Sequence, residues 1–134
     1  MTVPPAVVVH GIDDAMTALA PGRAVLLISA PGAALYAGCG WWRGVVTAAR
    51  AAHPGTPCVD ALDCADAPGR ALEALAAGCS TVILSPTAKA FGRVAAIAAR
   101  QGAEVWPARP AALDLAERGS ARRLPQWLGT PLPR

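Results

Sequence analysis

Short apolar segments alternate along this chain with longer segments whose apolar residues recur at helical spacing. Five of the short segments predict strands: residues 6–9 (AVVV), 24–29 (AVLLIS), 58–62 (CVDAL), 81–84 (TVIL) and 104–106 (EVW). Each strand and the helix after it occupy about 20 to 30 residues, the length of a right-handed crossover between parallel strands. The alternation therefore predicts an α/β fold.

The predicted fold is a small three-layer sandwich, doubly wound and Rossmann-like, around a mostly parallel sheet of four to five strands. Residues 24–29 are apolar without interruption, which is typical of a strand covered on both faces. Residues 104–106 are expected at an edge of the sheet, because Pro107 and Pro110 lack the N–H of a central strand. The whole chain, residues 1–134, is expected to form one domain.

The helical segments are bounded by Asp, Pro and Gly. They predict helices over residues 13–20, 33–52, 66–77 and 87–101, and a short helix at about 113–117. Residues 119–134 form a Pro-rich tail, whose Trp127 and Leu128 are expected to pack on the body of the domain.

A half (β/α) barrel is the alternative fold. Units that end in AGC-STVILSP (residues 77–86) and QG-AEVW (residues 101–106) loosely resemble repeats of the barrel aldolases. The resemblance covers one or two units and includes no catalytic motif, so it implies a barrel-like arrangement and no activity.

The stretch GCGWW, residues 38–42, lies in the predicted helix 33–52. At 100° per residue, Trp42 falls on the core stripe, together with Leu35, Cys39, Val46 and Ala49. Trp41 and Val45 fall on a second apolar face, so the apolar arc is wider than one sheet contact explains. The same chain, a second copy or a ligand can cover this face. A homo-oligomer through Trp41 and Val45 is one of these expectations.

Composition excludes several classes of protein. The net charge is +3, but the arginines are scattered, and a nucleic-acid footprint needs a clustered basic face. Every apolar stretch is too short to span a membrane, and the first ten residues lack the basic region of a signal peptide, so a cytoplasmic protein is expected. The four cysteines have no C-x-x-C spacing and no His at ligand spacing, which predicts reduced thiols and no metal site.

Ligands of open parallel sheets bind at the carboxyl ends of the strands. The candidate ligand-binding residues there are Ser29, Gly32, Asp60, Asp63, Ser85, Thr87 and Arg109. Ser85 and Thr87 are expected at a helix N-terminus, which suits an anion, and Arg109 offers a guanidinium fork. The structural interpretation of the same positions is that Thr87 and Asp66 are helix caps and that Ser29 and Ser85 only end strands.

Two residues are weak catalytic candidates, His10 and Asp60. If Asp60 is buried it needs a partner, and Arg109 or His10 could serve. An Asp–His pair can act as an acid–base pair, because imidazole titrates near neutrality. Lys89 is expected on the solvent face of its helix and not in catalysis.

No cofactor is predicted. The glycines at 38, 40 and 44 form G-x-G-x-x-x-G, one residue longer than the dinucleotide fingerprint, and no Gly-Lys-Ser/Thr of a Walker loop occurs. Two functions stay open: binding of a small anionic metabolite at the strand ends, or a non-catalytic homo-oligomer that uses the Trp41 face. Whether the protein is an enzyme is not predicted.

Overall fold

The computed structural model describes residues 2–129 and 132–133. Its strands are β1 (Thr2–Val3), β2 (Ala6–Val8), β3 (Val25–Ile28), β4 (Cys58–Asp63), β5 (Thr81–Ile83), β6 (Glu104–Trp106), β7 (Ala112–Asp114) and β8 (Leu132–Pro133). Its helices are α1 (Ile12–Leu19), α2 (Ala33–Tyr36), α3 (Gly38–Ala52), α4 (Pro68–Ala76), α5 (Phe91–Arg100) and α6 (Ser120–Leu128). No helix within the described residues is long and apolar enough to cross a membrane.

Six strands form one parallel sheet in the order β6-β5-β4-β3-β2-β7, with helices on both sides. The prediction of an α/β fold around a parallel sheet is confirmed, and the sheet is slightly larger than predicted. The strands from β2 to β6 follow chain order, and β7 lies beyond β2. Since β6 and β7 are the two edges, the described sheet is not closed into a barrel. β1 and β8 pair separately and antiparallel.

The chain divides into two compact units. The first comprises Met1–Ile28, Gly44–Val59 and Pro110–Arg134. In it β2 pairs in parallel with β3 on one side and with β7 on the other. All residues of β2 and β3 are buried, as the uninterrupted apolar runs predict for strands covered on both faces.

A short helix predicted at residues 113–117 is replaced by β7. Leu113 lies opposite Val7, and Asp114 lies opposite Val8, the last residue of β2. Leu113 is 6% exposed. Pairing with β2, more than 100 residues earlier in the chain, overrides the local helical pattern. Such a long-range pairing cannot be predicted from the local sequence.

The Pro-rich segment after residue 119 contains the helix α6, with Pro125 inside it. Leu124 and Leu128 are buried one turn apart. The indole Nε1–H of Trp127 donates to the carbonyl of Ala6 at 2.7 Å. Trp127 and Leu128 therefore pack on the first unit, and the helix α6 that carries them was not predicted.

The second unit comprises Ser29–Arg43 and Asp60–Arg109. Here β5 pairs in parallel with β4 and with β6, which is an edge strand as predicted. Pro68 begins α4, as proline at a first helical position does, and Gly78 follows the helix with φ +94°. The last helix of the unit, α5, buries Val94 and Ala98.

The segment 33–52 forms two helices instead of the single helix predicted. Gly38 has φ +86°, a left-handed conformation that breaks the helix between α2 and α3. Trp42, Val46 and Ala49 are buried as predicted, whereas Leu35 is 45% exposed. Because the break rotates α2 relative to the expected projection, the predicted core stripe holds only from Trp42 onward.

Candidate functional site

A cleft of about 490 Å³ lies in the second unit, at the carboxyl ends of β4, β5 and β6. Its lining residues are Asp63, Ala65, Asp66, Ile83, Ser85, Pro107, Ala108 and Arg109. Three of the residues predicted from the sequence, Asp63, Ser85 and Arg109, are among them. The cleft has the position that parallel sheets use for ligands.

An ion pair between Asp63 and Arg109 joins two walls of the cleft. Nη1 of Arg109 lies 2.8 Å from Oδ2 of Asp63, and the two side chains are 25% and 6% exposed. The other carboxylate oxygen of Asp63 accepts the N–H of Ala65 at 2.8 Å. Pro107 and Pro110 restrict the segment that presents Arg109. The guanidinium is therefore held in one place, with part of its surface open to solvent.

Ser85 and Thr87 form a turn and not a helix N-terminus. Their hydroxyl oxygens lie 2.7 Å apart, and the N–H of Thr87 donates to Oγ of Ser85 at 3.3 Å. The helix α5 begins only at Phe91, four residues later than the predicted start. The predicted placement of Ser85 and Thr87 at the N-terminus of this helix is wrong. What Ser85 offers to the cleft is its hydroxyl group.

Asp66 lines the cleft, although the sequence suggested a helix cap. The N-cap of α4 is Ala67, and no side chain caps this helix. The signal was present in the sequence, because a proline at the first helical position makes Ala67, the residue before Pro68, the N-cap. Ala65, just before Asp66, has φ +51°, which is uncommon outside glycine, so the chain makes a sharp turn at this wall.

Ser29 and Gly32 lie behind the cleft and not on its surface. Ser29 is fully buried, and its hydroxyl accepts the N–H of Asp63 at 2.9 Å and donates to the carbonyl of Ala30 at 3.1 Å. Gly32 has φ +68°, and a Cβ at this position would lie 3.9 Å from that of Ala65. Both residues support the turn around Asp63, so their contribution to a ligand site is indirect.

Asp60 lies inside β4 and not after it. It is 1% exposed and accepts a hydrogen bond of 3.3 Å from Nε1 of Trp42. Arg109, one of its two predicted partners, pairs with Asp63 instead. The strand extends to Asp63, so Asp60, predicted at the end of the strand, lies in its buried interior. Asp60 is not among the residues that line the cleft.

His10, the other predicted partner of Asp60, belongs to the first unit and pairs with Asp114. Its Nε2 lies 2.7 Å from Oδ1 of Asp114, and both side chains are about one-third exposed, at 37% and 33%. The backbone N–H of His10 donates to the carboxylate of Asp14 at 2.8 Å, while the N-cap of α1 is Gly11 and no side chain caps this helix. His10 does contact an aspartate, but the aspartate is Asp114 and not the predicted Asp60.

Two thiols of the second unit, those of Cys64 and Cys79, are buried, whereas that of Cys39 is partly exposed. Burial raises the pKa of the Cys64 thiol to about 12, and the Asp63 carboxylate adds to the rise. Burial likewise raises the pKa of Cys79 to about 11, with a further rise from Asp60 and an opposing effect of Arg43. No disulfide joins the cysteines, and no cluster able to hold a metal ion is found in residues 2–129 and 132–133.

The face that holds Trp41 is partly covered within the chain. Trp41 is half-buried, and its ring centroid lies 6.0 Å from that of Trp42. Val45 is 8% exposed, so little of it is available to another molecule. On the preceding helix, Leu35 is 45% and Tyr36 71% exposed.

Lys89 is exposed to solvent, as predicted. It lies in the turn before α5 and not on the helix. Among the residues that the structure describes, Arg109 is the one basic side chain that lines the cleft.

No protein-family model matches this chain, and no curated protein matches it. Among solved structures, the chain is similar to a Coccidioides immitis protein assigned as a fructose-1,6-biphosphate aldolase. The TM-score is 0.58 at 19% sequence identity, over 78% of this chain and 40% of that protein. The chain thus spans less than half the length of this neighbour. At this identity the likeness supports the fold alone.

Proposed function

We propose that this protein binds a small metabolite with an anionic group in the cleft at the carboxyl ends of β4, β5 and β6. The observation that carries the proposal is the guanidinium of Arg109, fixed by Asp63 at the edge of a cleft of about 490 Å³. That volume lies within the range of small-molecule sites, about 300–1,000 Å³.

The proposed contacts are a charge-assisted hydrogen bond from Arg109 and a neutral one from Ser85. Nη1 of Arg109 is engaged with Asp63, and a guanidinium has five N–H donors, so donors are left for a carboxylate or phosphate. Within the described residues, the hydroxyl of Ser85 is hydrogen bonded only to the hydroxyl and the backbone N–H of Thr87. Both groups lie on loops held by a rigid sheet, as binding groups commonly do.

The name of the structural neighbour adds one compound class to the search. That protein is assigned as an aldolase of fructose 1,6-bisphosphate, a phosphorylated sugar. Phosphorylated sugars therefore belong beside small carboxylates among the ligands to be tested. No reaction is proposed for this chain.

The test is a melting-temperature screen followed by calorimetric titration. The panel contains inorganic phosphate, fructose 1,6-bisphosphate, the hydroxy acids lactate, malate and 2-hydroxyglutarate, and the amino acids alanine, aspartate and glutamate. We expect at least one compound to raise the melting temperature, and Arg109→Gln to weaken its binding by at least about 10-fold, the effect of losing one charge-assisted hydrogen bond. Arg93→Gln is the matched control, because Arg93 is an exposed arginine of α5 outside the cleft. No response to the whole panel, or equal loss in both variants, contradicts the proposal.

A second candidate function is self-association through the face that holds Trp41. It is favoured by the half-burial of Trp41 on α3 and by the exposure of Leu35 and Tyr36 on α2, the helix before it, since aromatic side chains are enriched in interface cores. Light scattering at micromolar concentration tests it. We expect a dimer or larger species that Trp41→Glu dissociates and that Ile97→Glu, at an exposed apolar position of α5, leaves intact. A monomer at all concentrations contradicts this candidate.

A further inference from the structure

The charges that line the cleft do not favour a purely anionic ligand. Asp63, Asp66 and Arg109 line it, and Asp63 and Arg109 neutralise each other across 2.8 Å. Asp66 is left as the carboxylate that decides the local charge. An anion that approaches Arg109 therefore enters a cleft whose net formal charge is negative.

The Asp66 carboxylate does not stabilise the fold through a helix cap, a hydrogen bond or an ion pair within the described residues. It does not cap α4, whose N-cap is Ala67. In the part of the chain that the structure describes, its side chain forms no hydrogen bond or ion pair, and it is exposed to solvent. Its position is nevertheless defined, because Ala65 beside it is hydrogen bonded through its N–H to Asp63 and through its carbonyl to the N–H of Ser85 at 2.7 Å.

One wall of the cleft thus presents a carboxylate without a partner, and the other a guanidinium with donors to spare. We infer that the ligand is zwitterionic, an amino-acid-like metabolite whose carboxylate binds Arg109 and whose protonated amine binds Asp66. The inference rests on the proposed function and narrows its ligand class. A protonated amine pairs with Asp66 and offsets the ligand's own carboxylate, whereas a purely anionic ligand adds a further negative charge to the cleft, and like charge in a binding site rejects the wrong partner.

The experiment compares pairs of compounds that differ only in an amino or a hydroxyl group. Suitable pairs are alanine with lactate, aspartate with malate, and glutamate with 2-hydroxyglutarate, each titrated calorimetrically into the full chain. We expect the amino compound of the bound pair to bind at least about 5-fold more tightly, the effect of one partly exposed ion pair. Because this comparison uses the unaltered protein, it does not depend on how any variant folds.

The variant Asp66→Asn tests whether Asp66 causes the preference for the amino compound. We expect it to weaken binding of the amino compound by about 5-fold and to leave the hydroxy compound unchanged or more tightly bound. Asp13→Asn is the matched control, an exposed aspartate of α1 in the first unit. Both variants are expected to keep the melting temperature of the unliganded protein, since neither side chain is buried.

The two proposals fail in different ways. If hydroxy and amino compounds bind equally, or if Asp66→Asn leaves the preference intact, the zwitterion inference is overturned while binding through Arg109 stands. If no compound of either kind binds, the proposed function falls and takes the inference with it.

Discussion

The ion pair between Asp63 and Arg109 can be measured directly as a contribution to stability. Asp63→Asn keeps the size of the side chain and an oxygen to accept the N–H of Ala65, so the change removes chiefly the charge. Removing one partner of a buried pair costs about 3–5 kcal/mol. Arg109 is 25% exposed and recovers some hydration, so we expect the free energy of unfolding to fall by about 2–3 kcal/mol.

A double-mutant cycle with Arg109→Met isolates the pair. Arg109→Met alone leaves Asp63, with a side chain 6% exposed, as a buried carboxylate without its cation, and we expect a similar loss of about 2–3 kcal/mol. The double variant carries no unpaired charge. It should therefore lose about the same as either single variant, which gives a coupling energy of about 2 kcal/mol.

Urea unfolding followed by tryptophan fluorescence measures all four proteins by linear extrapolation. The surface pair Arg70–Glu73 is the control, with Nη1 and Oε2 3.2 Å apart and side chains 48% and 59% exposed. A double-mutant cycle on Arg70 and Glu73 should give a coupling energy of no more than about 0.5 kcal/mol. If the losses of unfolding free energy caused by the two single variants add up, within about 0.5 kcal/mol, to the loss in the double variant, the two side chains are not coupled. That result would refute the claim that Asp63 holds Arg109 in place.

Three further outcomes are expected. Raising the pH from 8 to 10 should lower the free energy of unfolding by about 1.3 kcal/mol for each of Cys64 and Cys79, because these thiols keep their protons in the folded protein, with pKa values of about 12 and 11, and ionise near 9.0 once unfolded. This stability is complete below pH 9 and is lost as the pH rises toward the folded pKa values; a flat pH profile would contradict the burial of the thiols. Gly38→Ala should destabilise by about 1 kcal/mol in the same urea assay, because Gly38 has φ +86°, whereas Gly44→Ala, in the interior of α3 with open space around it, should stabilise by about 0.5–1 kcal/mol; the same sign for both would disprove the left-handed break. Trp127→Phe removes a 2.7 Å hydrogen bond to the first carbonyl of β2 and should cost about 1 kcal/mol by thermal unfolding, with no loss expected if α6 does not pack there.

Part of the candidate site could be predicted from the sequence. Asp63, Ser85 and Arg109 were expected at strand ends because a ligand crevice lies there in parallel sheets, and all three line one cleft. The pairing of Asp63 with Arg109 joins residues 46 positions apart and depends on β4, β5 and β6 being neighbours. Nothing local distinguishes this pairing from the expected one of Arg109 with Asp60.

Local chemistry decided much of this protein. A short uninterrupted apolar run bounded by turn residues is typical of a strand covered on both faces, so β3 could be predicted from its own residues. Pro68 and Gly78 bound α4 because one fits a first helical position and the other a left-handed end. These features depend on the conformational preferences of residues a few positions apart. They are therefore present in the sequence before the chain folds.

Tertiary structure alone decided the strand order, the sixth strand and the partner of each buried charge. β7 is a strand because its backbone pairs with β2, and Asp60 is buried because β4 continues past it beneath Trp42. Such pairings are set by the burial and hydrogen bonding of segments distant in sequence, which outweigh local propensity. The position of Asp66 in the cleft likewise depends on segments distant in sequence, so its role as a cleft residue could not be predicted from its local sequence.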